Sequence, residues 1–198
     1  MFISFEGLDG CGKTTQAGLL ADRLRADGAE VVLTREPGGT VLGEEIRALL
    51  LHGGHVAPWA EAALYAASRA QHVDEVIRPA LGRAAVVVCD RYVDSSVAYQ
   101  GVGRGLGLER VLELNLVAVG GLMPDLTVLL EIGIEDAVGR VGDERDRLER
   151  EDDGFRERVA QGYRVLAERF PERYVVVDGG RAVEDVAGEI DGAVRSRS

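Results

Sequence analysis

The chain has 198 residues, 46% hydrophobic and only 5% aromatic, which suits one domain whose core rests on Val, Leu, Ile and Ala. Its formal net charge of -11 argues against a duplex nucleic acid partner, which asks for a basic face. A small anion held by a local cluster of donors remains compatible with that charge. Cys11 and Cys89 stand far apart and match no metal or redox spacing, so both read as reduced thiols. The N-terminal MFISFEG lacks a basic stretch and its apolar run is cut by Glu6, unlike a signal peptide. The longest apolar stretch, around LNLVAVGGLM, is too short for a membrane span. These features predict a soluble, cytoplasmic protein with no membrane or nucleic acid partner.

The first predicted strand, FISFE (2–6), runs into GLDGCGKT (7–14), and a helical pattern follows over about 13–27. The loop fits G-x-x-x-x-G-K-S/T in the strand-to-helix context that this motif requires. Its glycines let several N–H groups point inward at a helix N-terminus, a setting for phosphate. The candidate ATP-binding residues are Gly7, Leu8, Asp9, Gly10, Cys11, Gly12, Lys13, Thr14 and Thr15. Lys13 offers a compact charge to the β- and γ-phosphates, and Thr14 a hydroxyl ligand to Mg²⁺. Lys13 is also the only lysine among 23 Lys and Arg residues. The guanine motif N-K-x-D therefore has no place in the chain. A phosphotransferase leads over a GTPase switch, and the chain is short for an ATPase motor.

A second strand, VVLT (31–34), leads into TREPGGT (34–40). Pro37-Gly38-Gly39 predicts a tight turn and Thr40 a helix cap, leaving Arg35 and Glu36 at the strand's carboxyl end. Helical patterns follow over 40–52 and 58–78; in the latter, Tyr65 and Arg69 at i, i+4 project from one side. A ring and a guanidinium placed so can sandwich and hydrogen-bond a base; the alternative is a core tyrosine and a solvated arginine. VVVCD (86–90) ends at Asp90, followed by Arg91 and Tyr92. Asp90 can hold Mg²⁺ through water while Arg91 grips a second phosphate; a strand-end ion pair is the competing reading. Ser96 and Tyr99 then share one helical face. QGVGRGLG (100–107) reads as mobile, and a helical pattern spans 107–119. After strand LTVLLE (126–131), the charge-dense GRVGDERDRLEREDDG (139–154) also reads as mobile. Helix 152–169, strand YVVVD (174–178) and helix 182–195 complete the order. Continuously apolar strands alternating with helices predict an α/β, doubly wound fold: a five-stranded parallel sheet flanked by helices, with ligands at the strands' carboxyl ends.

The segments EGLDGCGKTTQ, TREPGGT, ALYAASRAQH, DRYVDSSVAYQGVGRG, PDLTVLLE and DRLE together resemble bacterial thymidylate kinases, in order and spacing, across essentially the whole chain. That resemblance implies a single phosphate-loop kinase domain over 1–198, an acceptor-binding region about 35–75 and a small mobile lid about 139–154. It implies transfer of the γ-phosphoryl of ATP to dTMP with Mg²⁺, and a homodimer. The implied dTMP-binding residues are Asp9, Arg35, Tyr65, Arg69, Arg91, Ser96 and Tyr99. Tyr65 stands where the family usually has a stacking phenylalanine; Arg69 matches the donor to thymine O4, and Tyr99 the ring packed on the deoxyribose. The metal would be held by Thr14 and Asp90. Lys13, Arg91, Arg147 and Asp9 are the implied catalytic set. Some members carry an arginine in the phosphate loop, at the place of Gly10; this chain instead resembles the lid-arginine type, with Arg140, Arg145, Arg147 and Arg150. Arg147, in DRLE, is the first choice for the residue reaching the transferring phosphoryl, and Arg145 the second. His52, His55 and His72 read as surface or packing residues.

Overall fold

The computed structural model describes residues 1–140, 142 and 146–197. The β-branched and leucine-rich runs form β1 (Phe2–Glu6), β2 (Val31–Arg35), β3 (Val86–Asp90), β4 (Leu126–Glu131) and β5 (Tyr174–Asp178). All pair in parallel, in the order β2-β3-β1-β4-β5. Parallel neighbours need crossover connections, and nine α-helices among the described residues supply them: α1 (Lys13–Ala26), α2 (Val41–His52), α3 (Pro58–His72), α4 (Arg78–Gly82), α5 (Val93–Ser96), α6 (Leu108–Ala118), α7 (Ile134–Arg140), α8 (Asp153–Arg169) and α9 (Val183–Arg195).

Side chains alternate across the sheet. Ile3, Phe5, Val88, Val128 and Leu130 join one core with Leu20 of α1 and Ile190 of α9. Phe2, Val87, Cys89 and Leu129 join the other, beneath α3 to α6 and α8. Both faces of the sheet are covered, which is why the strands are apolar without a break. Local chemistry sets the helix starts. The Thr40 hydroxyl accepts from the Gly43 N–H, Asp152 accepts from the Phe155 N–H at 2.7 Å, and Pro58 opens α3.

Two elements differ from the sequence reading. Helix α7 carries no periodicity strong enough to mark it beforehand. The glycine-rich 100–107 stretch begins as packed helix: α5 runs on into a π-helical segment, Val97–Gly103, with Gly101 and Gly103 buried. A Cβ on Gly103 would lie 2.8 Å from Phe155 Cε2 and 2.9 Å from Val159 Cγ2 on α8. These glycines admit the neighbouring helix rather than loosen the chain. Gly103→Val is therefore expected to overpack the site and lower unfolding stability by about 1–3 kcal/mol. Chemical denaturation checks this; an unchanged midpoint would remove the packing argument.

Candidate active site

The loop after β1 curls because its glycines accept positive φ: 136° at Gly7, 82° at Gly10 and 96° at Gly12. Gly10 is doubly constrained, since a Cβ there would sit 2.2 Å from the Ala137 carbonyl oxygen of α7. The loop position that carries an arginine in some thymidylate kinases thus has no room for any side chain here. Lys13 folds over the loop, its Nζ donating to the carbonyls of Leu8 at 2.8 Å and Gly7 at 3.2 Å. Thr14 Oγ1 donates to Asp90 Oδ2 at 2.5 Å. The loop floors a cleft of about 1120 Å³ whose walls include Arg35, Arg47, Arg140 and Arg181.

A smaller cavity of about 130 Å³ opens beside it, lined by Asp9, Tyr65, Arg69, Arg91, Ser96 and Tyr99. Six of the seven residues expected at the acceptor therefore converge. Arg35 does not: it lines the larger cleft and pairs with Glu44 at 3.1 Å. Asp9, Glu36, Arg47, Arg91 and Glu149 line both spaces, so the two open on each other.

Arg91 stands at the junction. Its φ of 71° is unusual for a residue with a Cβ and turns the side chain under the phosphate loop. Its Nη1 donates to Gly7 O, Ser95 Oγ and Tyr163 Oη, and its Nη2 to Asp9 and Tyr99 Oη. Burial opposes ionisation of Asp9, but the charges of Arg91 and Lys13, with a hydrogen bond from Tyr99, outweigh it and hold the carboxyl down at about 2.

Arg69 is held more tightly still and is 2% exposed. Its Nε donates to Glu36 at 2.6 Å, its Nη1 to Ser96 Oγ and to Asn115 Oδ1, and its Nη2 to the Tyr92 carbonyl. A guanidinium has five N–H donors. Four are used among the described residues, leaving one on Nη2 without a partner among them. Glu36 also meets His72 Nδ1 at 2.9 Å, and His72 Nε2 lies 2.7 Å from Thr34 Oγ1. His72 is thus a buried linker, whereas His52 and His55 are exposed. Donor atoms of Glu36, His72 and Cys89 lie within 4.8 Å of one another. A cation there would face the Arg69 guanidinium, and burial pushes the Cys89 thiol well up, so the cluster acts as a hydrogen-bonded brace.

The thymidylate kinase family model matches residues 5–190. The chain belongs to the thymidylate kinase family. It is 50% identical over 199 residues to a thymidylate kinase of Synechococcus sp. (strain JA-3-3Ab), covering 100% of this chain and 96% of that one. It is 54% identical over 202 residues to one of Clavibacter michiganensis subsp. michiganensis, covering 100% and 94%. The crystal structure of thymidylate kinase from Ehrlichia chaffeensis superposes with a TM-score of 0.82 at 34% identity, over 98% of each chain. The doubly wound parallel fold read from the sequence is the fold of this family member.

Within this kinase the described arginines of the charged 139–154 segment divide between two places. Arg140 lines the phosphate cleft and donates to Gly179 O at 3.2 Å. Arg145 lies outside the described residues. Arg150 and Arg147 border a separate surface hollow beside Leu51 and His52. Arg147, the first choice for the residue reaching the phosphoryl, is engaged away from the phosphate loop in this structure. Its Nη1 pairs with the fully buried Glu61 at 2.6 Å, its Nε donates to Leu50 O at 2.8 Å, and its backbone N–H donates to Leu51 O. The last carbonyls of a helix lack partners within it and favour a cation; α2 ends at His52, so Arg147 is drawn there.

Sequence reasoning also missed Ser95, Tyr163, Asn115, Glu149 and Glu6. A charge ending an apolar strand was the one available signal for Glu6, and an asparagine on the apolar side of 107–119 the one for Asn115. Glu6 is fully buried and accepts from Tyr92 N, Ser95 Oγ and Tyr163 Oη. Burial, then the charge of Asp94, raises its carboxyl from 4.5 to about 7 against those hydrogen bonds and Arg91. Between these values the folded state binds more protons than the unfolded chain, so stability falls as pH rises through 7. The loss reaches about 3 kcal/mol at most, from the size of that shift. Glu6→Gln removes the titration. Its melting temperature is expected to fall less than the wild type's between pH 5 and 8; parallel curves would refute the assignment.

Proposed function

We propose that this kinase transfers the γ-phosphoryl of ATP to dTMP, giving dTDP and ADP, with the donor in the larger cleft and the acceptor in the smaller cavity. The observation that carries the reading is their junction at Asp9 and Arg91, beside the phosphate loop. The loop N–H groups and Lys13 receive the donor phosphates, and Arg91 grips the acceptor phosphate. Tyr65 and Arg69 read the base, and Tyr99 packs the sugar. Thymine presents an acceptor at its 4-position to the Arg69 N–H that has no partner among the described residues; cytosine presents an amino group and leaves that donor unpaired. The attacking atom is a phosphate oxygen whose second pKa is about 6. It is already ionised at neutral pH, and no general base is needed. The chain's task is to bring two polyanions together and neutralise the transferring charge, for which Lys13 and Arg140 face the cleft and Arg91 the junction. Thr14 and Asp90 meet as two hard oxygen donors at the loop's mouth and fit Mg²⁺, which when bound neutralises charge on the donor phosphates.

The reading also carries a cytoplasmic, homodimeric protein. Among the described residues no helix is long and apolar enough to cross a membrane. The exposed side chains Leu42, Leu49, Trp59 and Val117 lie on α2, α3 and α6, consecutive neighbours, and support a paired face.

Coupled ADP release with ATP, Mg²⁺ and a panel of dTMP, dUMP, dCMP, dGMP and UMP tests the function. Strong preference for dTMP is expected; turnover of another monophosphate instead would overturn it. Lys13→Arg should abolish turnover while leaving the fold intact by circular dichroism, because a planar guanidinium cannot take the place of the compact ammonium beside the loop carbonyls; near-normal activity would refute that argument. Asn115→Leu should loosen Arg69 and raise KM for dTMP about tenfold, from a lost buried hydrogen bond to a charged group, while narrowing the dTMP-to-dCMP ratio of kcat/KM. An unchanged ratio would mean that Asn115 only packs.

A further inference from the structure

The buried carboxylate of Glu61 lies on α3 one turn before Tyr65 and two before Arg69. It is 0% exposed and accepts from Arg147, Arg104 and Gln100. Burial opposes its charge, but these donors keep it below the usual carboxylate range. Gln100 itself borders the acceptor cavity beside Tyr99. Arg104 reaches on to Glu151 at 2.6 Å, giving a second tie between this helical face and the same segment.

Arg147 sits in a turn closed by its own hydrogen bonds. Asp146 Oδ1 accepts from the N–H groups of Leu148 at 2.8 Å and Glu149 at 2.9 Å, and Glu149 Oε2 accepts in return from the Asp146 N–H at 2.8 Å. This reciprocal pattern is that of a capping box. The residues on either side of Arg147, Asp146 and Leu148, with Glu149, wall the acceptor cavity opposite Tyr65 and Arg69. A stiff turn pinned through its outward arginine holds its inward side chains in place.

We infer that Arg147 and Glu61 are positioning residues for the acceptor nucleotide: their ion pair, with the Leu50 and Leu51 carbonyls, fixes the turn 146–149 as a wall of the base cavity. This rests on the proposed dTMP reading and deepens it. Arg147 then acts on acceptor binding rather than on the transferring phosphoryl, and the donor site is indifferent to it.

Steady-state kinetics on the full chain, with dTMP and ATP varied independently, separate the roles. Wild type is measured first; failure to phosphorylate dTMP would sink the functional reading itself, whatever the variants do. Given that activity, Arg147→Met is expected to raise KM for dTMP at least fivefold, with kcat within threefold and KM for ATP within twofold. Calorimetric titration with dTMP should show the same weakening. Arg147→Lys should recover part of it, and Glu61→Gln should match Arg147→Met. The double variant should be no worse than either single, as residues sharing one interaction are non-additive. If Glu61→Gln does not fold, Arg147→Met and Arg147→Lys carry the test. A hundredfold fall in kcat with KM for dTMP unchanged would overturn the proposal in favour of a phosphoryl contact. A lowered melting temperature with both KM values unchanged would overturn it in favour of a purely structural pair.

Discussion

Arg91 places a half-buried positive charge where β3 leaves the sheet, and the surroundings are arranged to accept from it. The phosphate loop offers Gly7 O and Asp9, the helical run after β3 offers Ser95 and Tyr99, and α8 offers Tyr163. Burial alone would lower the guanidinium's pKa, yet Asp9 and the neighbouring tyrosines raise it well above its ordinary value. Its left-handed backbone costs about 1 kcal/mol or more. The backbone bond from the Arg91 N–H to Phe5 O at 2.9 Å holds that turn against β1. The phosphate loop, the smaller cavity and the carboxyl end of the sheet are thus tied to one another through one side chain. Two nucleotides that must meet in line need that kind of common reference.

A second buried carboxylate supports this arrangement from below. Glu6 receives Ser95 and Tyr163, the same two hydroxyls that receive Arg91. The positive centre is therefore coupled to the last residue of β1, immediately before the loop. Farther out, Glu36 and Asn115 do for Arg69 what Asp9 and Ser95 do for Arg91. Each functional arginine spends most of its donors on the protein. What remains for a ligand is few in number and fixed in direction, the condition under which hydrogen bonding discriminates between bases.

The fold was legible because each strand run is short, apolar and bounded, and because the helices carry a 3.6-residue period. All five strands fall within a residue of their expected bounds. The phosphate loop and the convergence of six residues on the smaller cavity were legible because local spacing places them at strand ends or on one helical face. Arg147 was not, since its partner Glu61 lies 86 positions earlier in sequence and is buried for reasons that only packing reveals. Charge density at 139–154 suggested a mobile segment, while the helix end at Leu50 and Leu51 and one buried acid claimed Arg147. Gly103 misled as well: composition reads glycine as freedom, but contact with Phe155 uses it for closeness.

The single lysine follows from the same division of labour. Arginine serves wherever a planar fork can meet several acceptors at once, as at Arg69, Arg91, Arg104 and Arg147. Lys13 meets two successive carbonyls inside a loop so tight that Gly7 and Gly10 each stand within 2.4 Å of a neighbouring carbonyl, measured from where a Cβ would be. A slim stem ending in a compact ammonium fits that curl. Its charge reaches Asp9 as well as the loop, so the lysine of the phosphate loop also helps hold the carboxylate at the junction of the two cavities ionised. Replacing it with a wider cation would disturb both halves of the site through one atom's position.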